Sequence, residues 1–232
     1  MLGFVLDVLF PKKCIGCSKE GSYFCLSCEA RIFHPNLICP KCKNISPNGQ
    51  THDKCQEKVT LDGLWSLGIY KNPLKNAILQ LKYKYTKEIT QNLVDVLIKY
   101  WENSKPFIYQ QIIKDKGIGW IIVPVPLYWY RANSRGFNQS SLIGQSLSRK
   151  LSLEYCEGLR RIRSTKSQVS IKGKDRYQNM KNAFSRNTKY SVQEKNILLI
   201  DDVWTTGSTM KECCIVLKKA GAKKVWAITL AR

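Results

Sequence analysis

An α/β protein, with a mostly parallel sheet flanked by helices behind a small cysteine-rich module, is what this 232-residue sequence predicts. Three observations carry that prediction. Seven of the ten cysteines fall between Cys14 and Cys55, in a stretch rich in Lys, Pro and Asn with little apolar periodicity. Beyond Lys58, apolar runs alternate with segments of helical spacing, the pattern of parallel strands joined by crossover helices. Two of the runs, Trp120–Val123 and Ile197–Ile200, are continuously apolar, as strands covered on both faces are. The shift in composition divides the chain into residues 1–60 and 61–232.

Taken in order, the elements follow from local pattern. Met1 to Phe10 is apolar but carries Asp7 and lacks a basic start and a small-residue cleavage site, so it reads as a short amphipathic helix rather than a secretory signal. Leu64–Tyr70 reads as a strand. Leu74–Trp101 has helical spacing (Leu74, Ile78, Leu81, then Leu93, Val96, Leu97), broken between Tyr83 and Thr86. Trp120–Val123 is a buried strand and Ser141–Leu151 a helix. Leu159 to Lys195 is polar and basic. The strand Ile197–Ile200, a helix from Thr209 to Ala220 and the strand Val225–Leu230 complete the chain. No stretch approaches the ~20 apolar residues that span a bilayer, which favours the cytosol, including a peripheral position on the inner face of the membrane.

Charge narrows the classes of partner. Lys and Arg number 38 against 17 acidic residues, a net charge of +21. An anionic partner is implied: nucleic acid, a phosphorylated metabolite or a membrane surface. Eleven basic residues against two acidic ones lie between Arg160 and Lys195. Hydrophobic residues make up 44% of the chain, which excludes disorder as a global description. Both histidines fall in the cysteine-rich part, and no Ser/His/Asp set is readable, so histidine-based hydrolysis is disfavoured.

Cys14-x2-Cys17, Cys25-x2-Cys28, Cys39-x2-Cys42 and His52-x2-Cys55 are four knuckles, each able to present two donors to one ion. Eight donors make two tetrahedra. The expected sets are Cys14, Cys17, Cys25 and Cys28 for one Zn2+, and Cys39, Cys42, His52 and Cys55 for another; cross-braced pairing satisfies the same spacing. Full protein ligation leaves no position for a substrate water, so both sites are structural, and metal binding supplies folding free energy that so small a core cannot. His34 has no knuckle partner and reads as a surface or turn residue. Cys156, Cys213 and Cys214 read as small buried apolar groups.

The most informative stretch runs from Ile197 to Thr209: four apolar residues, Asp201-Asp202, then Val203-Trp204-Thr205-Thr206-Gly207-Ser208-Thr209. A buried strand ends in two carboxylates, and a hydroxyl-rich turn enters a helix whose first N–H groups and positive dipole end suit a phosphate. Val203, Thr205, Thr206, Gly207, Ser208 and Thr209 form the candidate phosphate loop. Asp201 and Asp202 are candidates for ribose hydroxyls. Tyr128, Trp129 and Tyr130 either stack on nucleic-acid bases or pack against the cysteine-rich module.

This stretch resembles the phosphoribosyl pyrophosphate (PRPP) signature of type I phosphoribosyltransferases. Val123-Pro124-Val125-Pro126, Arg135-Gly136-Phe137-Asn138-Gln139-Ser140, Thr165-Lys166-Ser167-Gln168 and Arg176-x2-Asn179-Met180-Lys181-Asn182-Ala183-Phe184 follow the order found in the ComF family, as do Gln80-Leu81-Lys82-Tyr83 and the knuckles. The resemblance implies a phosphoribosyltransferase-like, Rossmann-like sheet with a double zinc ribbon in front. It also implies a role in DNA uptake during natural transformation. PRPP bound with Mg2+ is the implied ligand, and transfer of the phosphoribosyl group the implied reaction. Asp201 and Asp202 then serve catalysis, and Arg131, Arg135, Lys166 and Arg176 join the loop in binding PRPP, with Lys181 a further cation. Single-stranded DNA and a competence helicase are the implied macromolecular partners, with a non-catalytic DNA-binding adaptor or PRPP sensor as the alternative to an enzyme.

Overall fold

The computed structural model describes residues 11–81, 86–130, 136–165 and 178–232. Five strands form one parallel sheet in the order β1-β7-β6-β2-β3: β1 Gly63–Gly68, β2 Trp120–Pro124, β3 Glu154–Tyr155, β6 Asn196–Val203 and β7 Lys224–Ala231. β4 (Leu159–Arg161) and β5 (Phe184–Arg186) form a separate antiparallel pair. The described helices are α1 Leu26–Glu29, α2 Leu74–Gln80, α3 Thr86–Ser104, α4 Phe107–Lys114, α5 Gln139–Leu151 and α6 Ser208–Lys219.

Alternation along the strands explains the two cores. Trp65, Ile122, Leu198, Ile200, Trp226 and Ile228 point to one face, where α2, α3, α4 and α5 cover them. Leu64, Ile121, Val123, Ile197, Leu199, Val225 and Ala227 point to the other, against α6 and the β4–β5 pair. Burial on both faces is why β2 and β6 read as unbroken apolar runs. Cys156, Cys213 and Cys214 are fully buried, and burial raises each thiol's pKa, as small apolar residues require.

The cysteine-rich segment closes the open edge of the sheet. Gly49 O accepts from Leu64 N at 2.8 Å, Phe33 O from Ile69 N at 2.8 Å, and Gln50 bridges Gly63. Cys14, Phe24, Cys28 and Ile32 join the same core as Trp65 and Leu67. An unpaired parallel edge is a template for aggregation, and this segment covers it. His34 lies at the surface as expected, and it is held there: Nδ1 is 2.6 Å from Leu67 O and the ring stacks on Tyr100 at 3.9 Å.

Several elements depart from the sequence expectation. α4, the short edge strand β3 and the β4–β5 pair were not expected. The strand expected over Leu64–Tyr70 ends at Gly68, with Ile69 and Tyr70 carried on by hydrogen bonds to Phe33 and Arg232. The helix expected at residues 1–10 and the break at Tyr83 fall outside the described residues.

Candidate phosphate site and metal centres

The sheet order creates a crevice. From β2 the chain moves outward to β3, and it later returns as β6 on β2's other side. The helix after β2, α5, lies on one face of the sheet and the helix after β6, α6, on the other. The carboxyl ends of β2 and β6 are therefore a topological switch point, where open α/β sheets bind ligands.

Both acids stand at that point. Asp201 Oδ1 accepts from Ser140 Oγ at 2.9 Å and from the Asp202 N–H at 2.9 Å. Ser140 is the second residue of α5, and Asn138 caps that helix by accepting from the Ser140 N–H at 3.2 Å while donating to Val125 O at 3.0 Å. The start of α5 is thus tied to the end of β2 and clamps the first carboxylate. Dense packing around Asp201, then the charge of Asp202, pushes its pKa up to about 8, against the opposing pull of the Ser140 hydroxyl and Asp202 N–H. Asp202 Oδ1 accepts from the Val203 N–H at 2.8 Å.

The turn between β6 and α6 is held by its own geometry. Gly207 has φ 79°, and a Cβ there would lie 2.2 Å from the Trp204 ring. Trp204 is buried in the α6-side core, with its backbone N–H donating to Ala231 O at 2.8 Å. Glycine is needed both for the left-handed conformation and for the close approach. Thr206 Oγ1 lies 2.8 Å from Ser208 Oγ, while Lys211 N donates to Gly207 O at 2.8 Å in the first turn of α6. The α6 N-cap, Gly207, has no capping side chain, and the Thr206 hydroxyl one residue earlier takes the Ser208 N–H at 3.4 Å. Thr205 is exposed and Thr206 and Thr209 partly so.

Of the residues expected here, Asp201, Asp202, Val203, Thr205, Thr206, Gly207, Ser208 and Thr209 come together. Arg131, Arg135, Lys166 and Arg176 lie outside the described residues, and Lys181 is exposed near the β4–β5 pair, where its carbonyl accepts from Arg163. Trp129 and Tyr130 are 60% and 66% exposed and Tyr128 is half-buried. Sequence reasoning missed two residues. Ser140 acts across 61 positions of sequence, and Tyr70, beyond β1, has its hydroxyl pKa raised by burial and by the charge of Asp202.

The metal sets resolve to sequential pairing. The donor atoms of Cys14, Cys17, Cys25 and Cys28 lie within 4.8 Å of one another, as do those of Cys39, Cys42, His52 and Cys55. Cys14 Sγ–Cys28 Sγ and Cys17 Sγ–Cys25 Sγ are both 3.6 Å. A tetrahedron with Zn–S bonds of about 2.3 Å has edges of about 3.8 Å, so the donors fit Zn2+. At the second set His52 Nδ1 faces Cys42 Sγ at 3.4 Å while Nε2 reaches Ile45 O at 3.1 Å. That outer hydrogen bond fixes the tautomer that leaves Nδ1 free to ligate. Burial disfavours the Cys14 and Cys39 thiolates, but converging N–H groups from Cys25, Gly16 and Cys17, and from Cys42, His52 and Lys41, bring their pKa values to about 6 and about 7. Arg31 Nη2 donates to Cys28 Sγ at 3.0 Å, lowering the cost of a thiolate whose burial pushes it up to about 12.

Comparison with known proteins agrees with both parts. Residues 138–232 match the phosphoribosyl transferase domain and residues 5–56 the double zinc ribbon domain. The chain is 31% identical over 223 residues to Competence protein F of Haemophilus influenzae, covering 94% of this chain and 90% of that protein. It is 31% identical over 220 residues to the DNA utilization protein YhgH of Escherichia coli K12, covering 94% and 88%. Competence protein ComFC of Bacillus subtilis is 26% identical over 223 residues, covering 92% and 86%.

Proposed function

The chain belongs to the ComF family of competence proteins, and on that footing we propose that it serves DNA uptake by binding PRPP, or a closely related phosphoribosyl ligand, at the β2–β6 switch point. One observation supports this reading above others: two carboxylates and the N-terminus of α6 converge where, in the sheet order of the described residues, the crossovers part.

In this reading the hydroxyls of Thr205, Thr206, Ser208 and Thr209 and the first N–H groups of α6 take the 5-phosphate. Asp201 and Asp202 accept hydrogen bonds from the ribose hydroxyls, with Ser140 orienting Asp201. Mg2+, which the hard carboxylate oxygens here suit, supplies charge neutralisation at the pyrophosphate when bound. Arg131, Arg135, Lys166 and Arg176 are the proposed cations for the leaving pyrophosphate; stabilising that charge, rather than a protein nucleophile, is what transfer to an acceptor requires. The two zinc sites hold the module that covers β1.

Thermal stabilisation by PRPP with Mg2+ that disappears in the Asp201→Asn/Asp202→Asn variant is the expected result. An unchanged ligand-induced shift in that variant would place binding elsewhere. Pyrophosphate release on adding an acceptor separates a transferase from a sensor.

A second reading, a single-stranded DNA adaptor working beside a competence helicase, draws on the exposed Trp129 and Tyr130 and on the charge of +21. DNA binding that survives Asp201→Asn/Asp202→Asn but falls in Lys172→Ala/Lys174→Ala/Arg176→Ala supports a separate surface of this kind.

A further inference from the structure

A cavity of about 250 Å3 opens in the seam between the second metal set and α6. Its apolar walls are Pro40, which follows Cys39, Val59 and Leu61 from the connection into β1, and Ile215 on α6. Pro40 and Leu61 are buried, and Val59 and Ile215 partly so. Cys214 Sγ donates to Val59 O at 3.7 Å, tying that connection to the helix.

A cation is built into this apolar seam. Lys211, one turn beyond Gly207, lines the cavity half-buried, and its ammonium group has no hydrogen bond or ion pair among the described residues. Burial and the charges of Lys43 and Lys41 act against its protonated form, with the Cys39 thiolate pulling the other way, and its pKa falls. The remaining polar groups of the cavity are engaged. Lys41 pairs with Glu57, the Thr60 hydroxyl donates to Glu57 O at 2.9 Å, and the Thr51 hydroxyl donates to Leu61 O. Asp62, next along the chain, is held by Lys218 Nζ at 2.8 Å and by the Val225 N–H at 2.7 Å.

The local charge is left unbalanced. Zn2+ on three thiolates and a neutral imidazole carries one net negative charge. Together with Glu57 it faces Lys41, Lys43 and Lys211, so one positive charge remains beside the apolar walls. An ammonium group withdrawn from water without a partner is costly, and an anion that brings its own apolar body satisfies both the charge and the walls.

We propose that this cavity binds a small organic anion, a carboxylate or a phosphate ester on an apolar body, with the head group on Lys211 and the body against Val59, Leu61 and Ile215. The volume takes on the order of ten non-hydrogen atoms. The cavity lies on the flank of α6, between helix and metal module, so its ligand is distinct from one held at the β2–β6 switch point.

Calorimetric titration of the zinc-loaded full chain, with and without saturating PRPP and Mg2+, tests this. Phenyl phosphate and benzoate should bind equally in both conditions, and the tighter of the two identifies the head group. Inorganic phosphate and benzyl alcohol, each lacking one half of the ligand, should bind roughly tenfold more weakly. Lys211→Met should weaken phenyl phosphate and benzoate binding by a similar factor while keeping the melting temperature and two zinc atoms per chain. Ile215→Trp, which fills the cavity and leaves every charge in place, should abolish their binding. Displacement of phenyl phosphate by PRPP, unchanged binding in both variants, or inorganic phosphate binding as tightly as phenyl phosphate would overturn the proposal. Loss of the second zinc in Lys211→Met would also overturn it, because the lysine would then be the counter-charge of the metal centre.

Discussion

Gly207→Ala is the sharpest perturbation of the phosphate loop. An alanine there must hold φ near 79° and place a methyl 2.2 Å from the ring of a buried tryptophan. The left-handed conformation costs about 1–2 kcal/mol for a residue with a Cβ, and overpacking against Trp204 costs about 1–3 kcal/mol more. If the whole cost falls on folding, about 2–5 kcal/mol lowers the melting temperature by about 4–20 °C in a chain of this size. If the loop yields instead, the melting temperature holds and the cost appears as weaker PRPP binding. Differential scanning calorimetry with and without PRPP and Mg2+ reads both. In a Trp204→Leu background the clash is removed, and Gly207→Ala should then cost only the conformational share. A Gly207→Ala protein that matches wild type in both melting and ligand affinity would refute the reasoning.

Three further outcomes follow from the same geometry. The pKa of Asp201 is raised to about 8 in the fold from its ordinary 3.8, so the unfolded chain loses that proton first and wild type loses stability as pH rises between those values. Asp201→Asn cannot ionise, and in chemical denaturation at pH 5, 7 and 8.5 its stability relative to wild type should rise with pH; a difference independent of pH would contradict the raised pKa. Gly16→Ala puts a Cβ 2.6 Å from Cys28 Sγ, and zinc analysis should fall from two atoms per chain to one. His52→Ala should also leave one zinc, while His52→Cys retains two; two zinc atoms in His52→Ala would remove His52 from the ligand set.

What could be read in the sequence was what depends on neighbours in the chain. Four knuckles at fixed spacing, and the continuous apolar runs of β2 and β6, announce themselves because a metal shell needs short loops and a strand covered on both faces has no polar alternation. Asn138 as a cap and the Asp201–Thr209 loop are local in the same sense. What was missed depends on which strands become neighbours. Ser140 reaches Asp201 only because β6 pairs with β2, and the sequential metal pairing was undecidable because cross-bracing satisfies the same spacing. β4 and β5 lie in a stretch whose lysines and arginines hide two short strands, held by Leu159 and Phe184 against α6. In α4, Ile108 and Ile112 are buried, but eight residues are too few to stand out beside the long α3.

A crystal of the zinc-loaded protein soaked with PRPP and Mg2+ tests the central claim most directly. The 5-phosphate should appear on residues 205–209 at the start of α6, with the ribose hydroxyls against Asp201 and Asp202. Saturating ligand that leaves this loop empty, or that settles at another surface, would contradict the account.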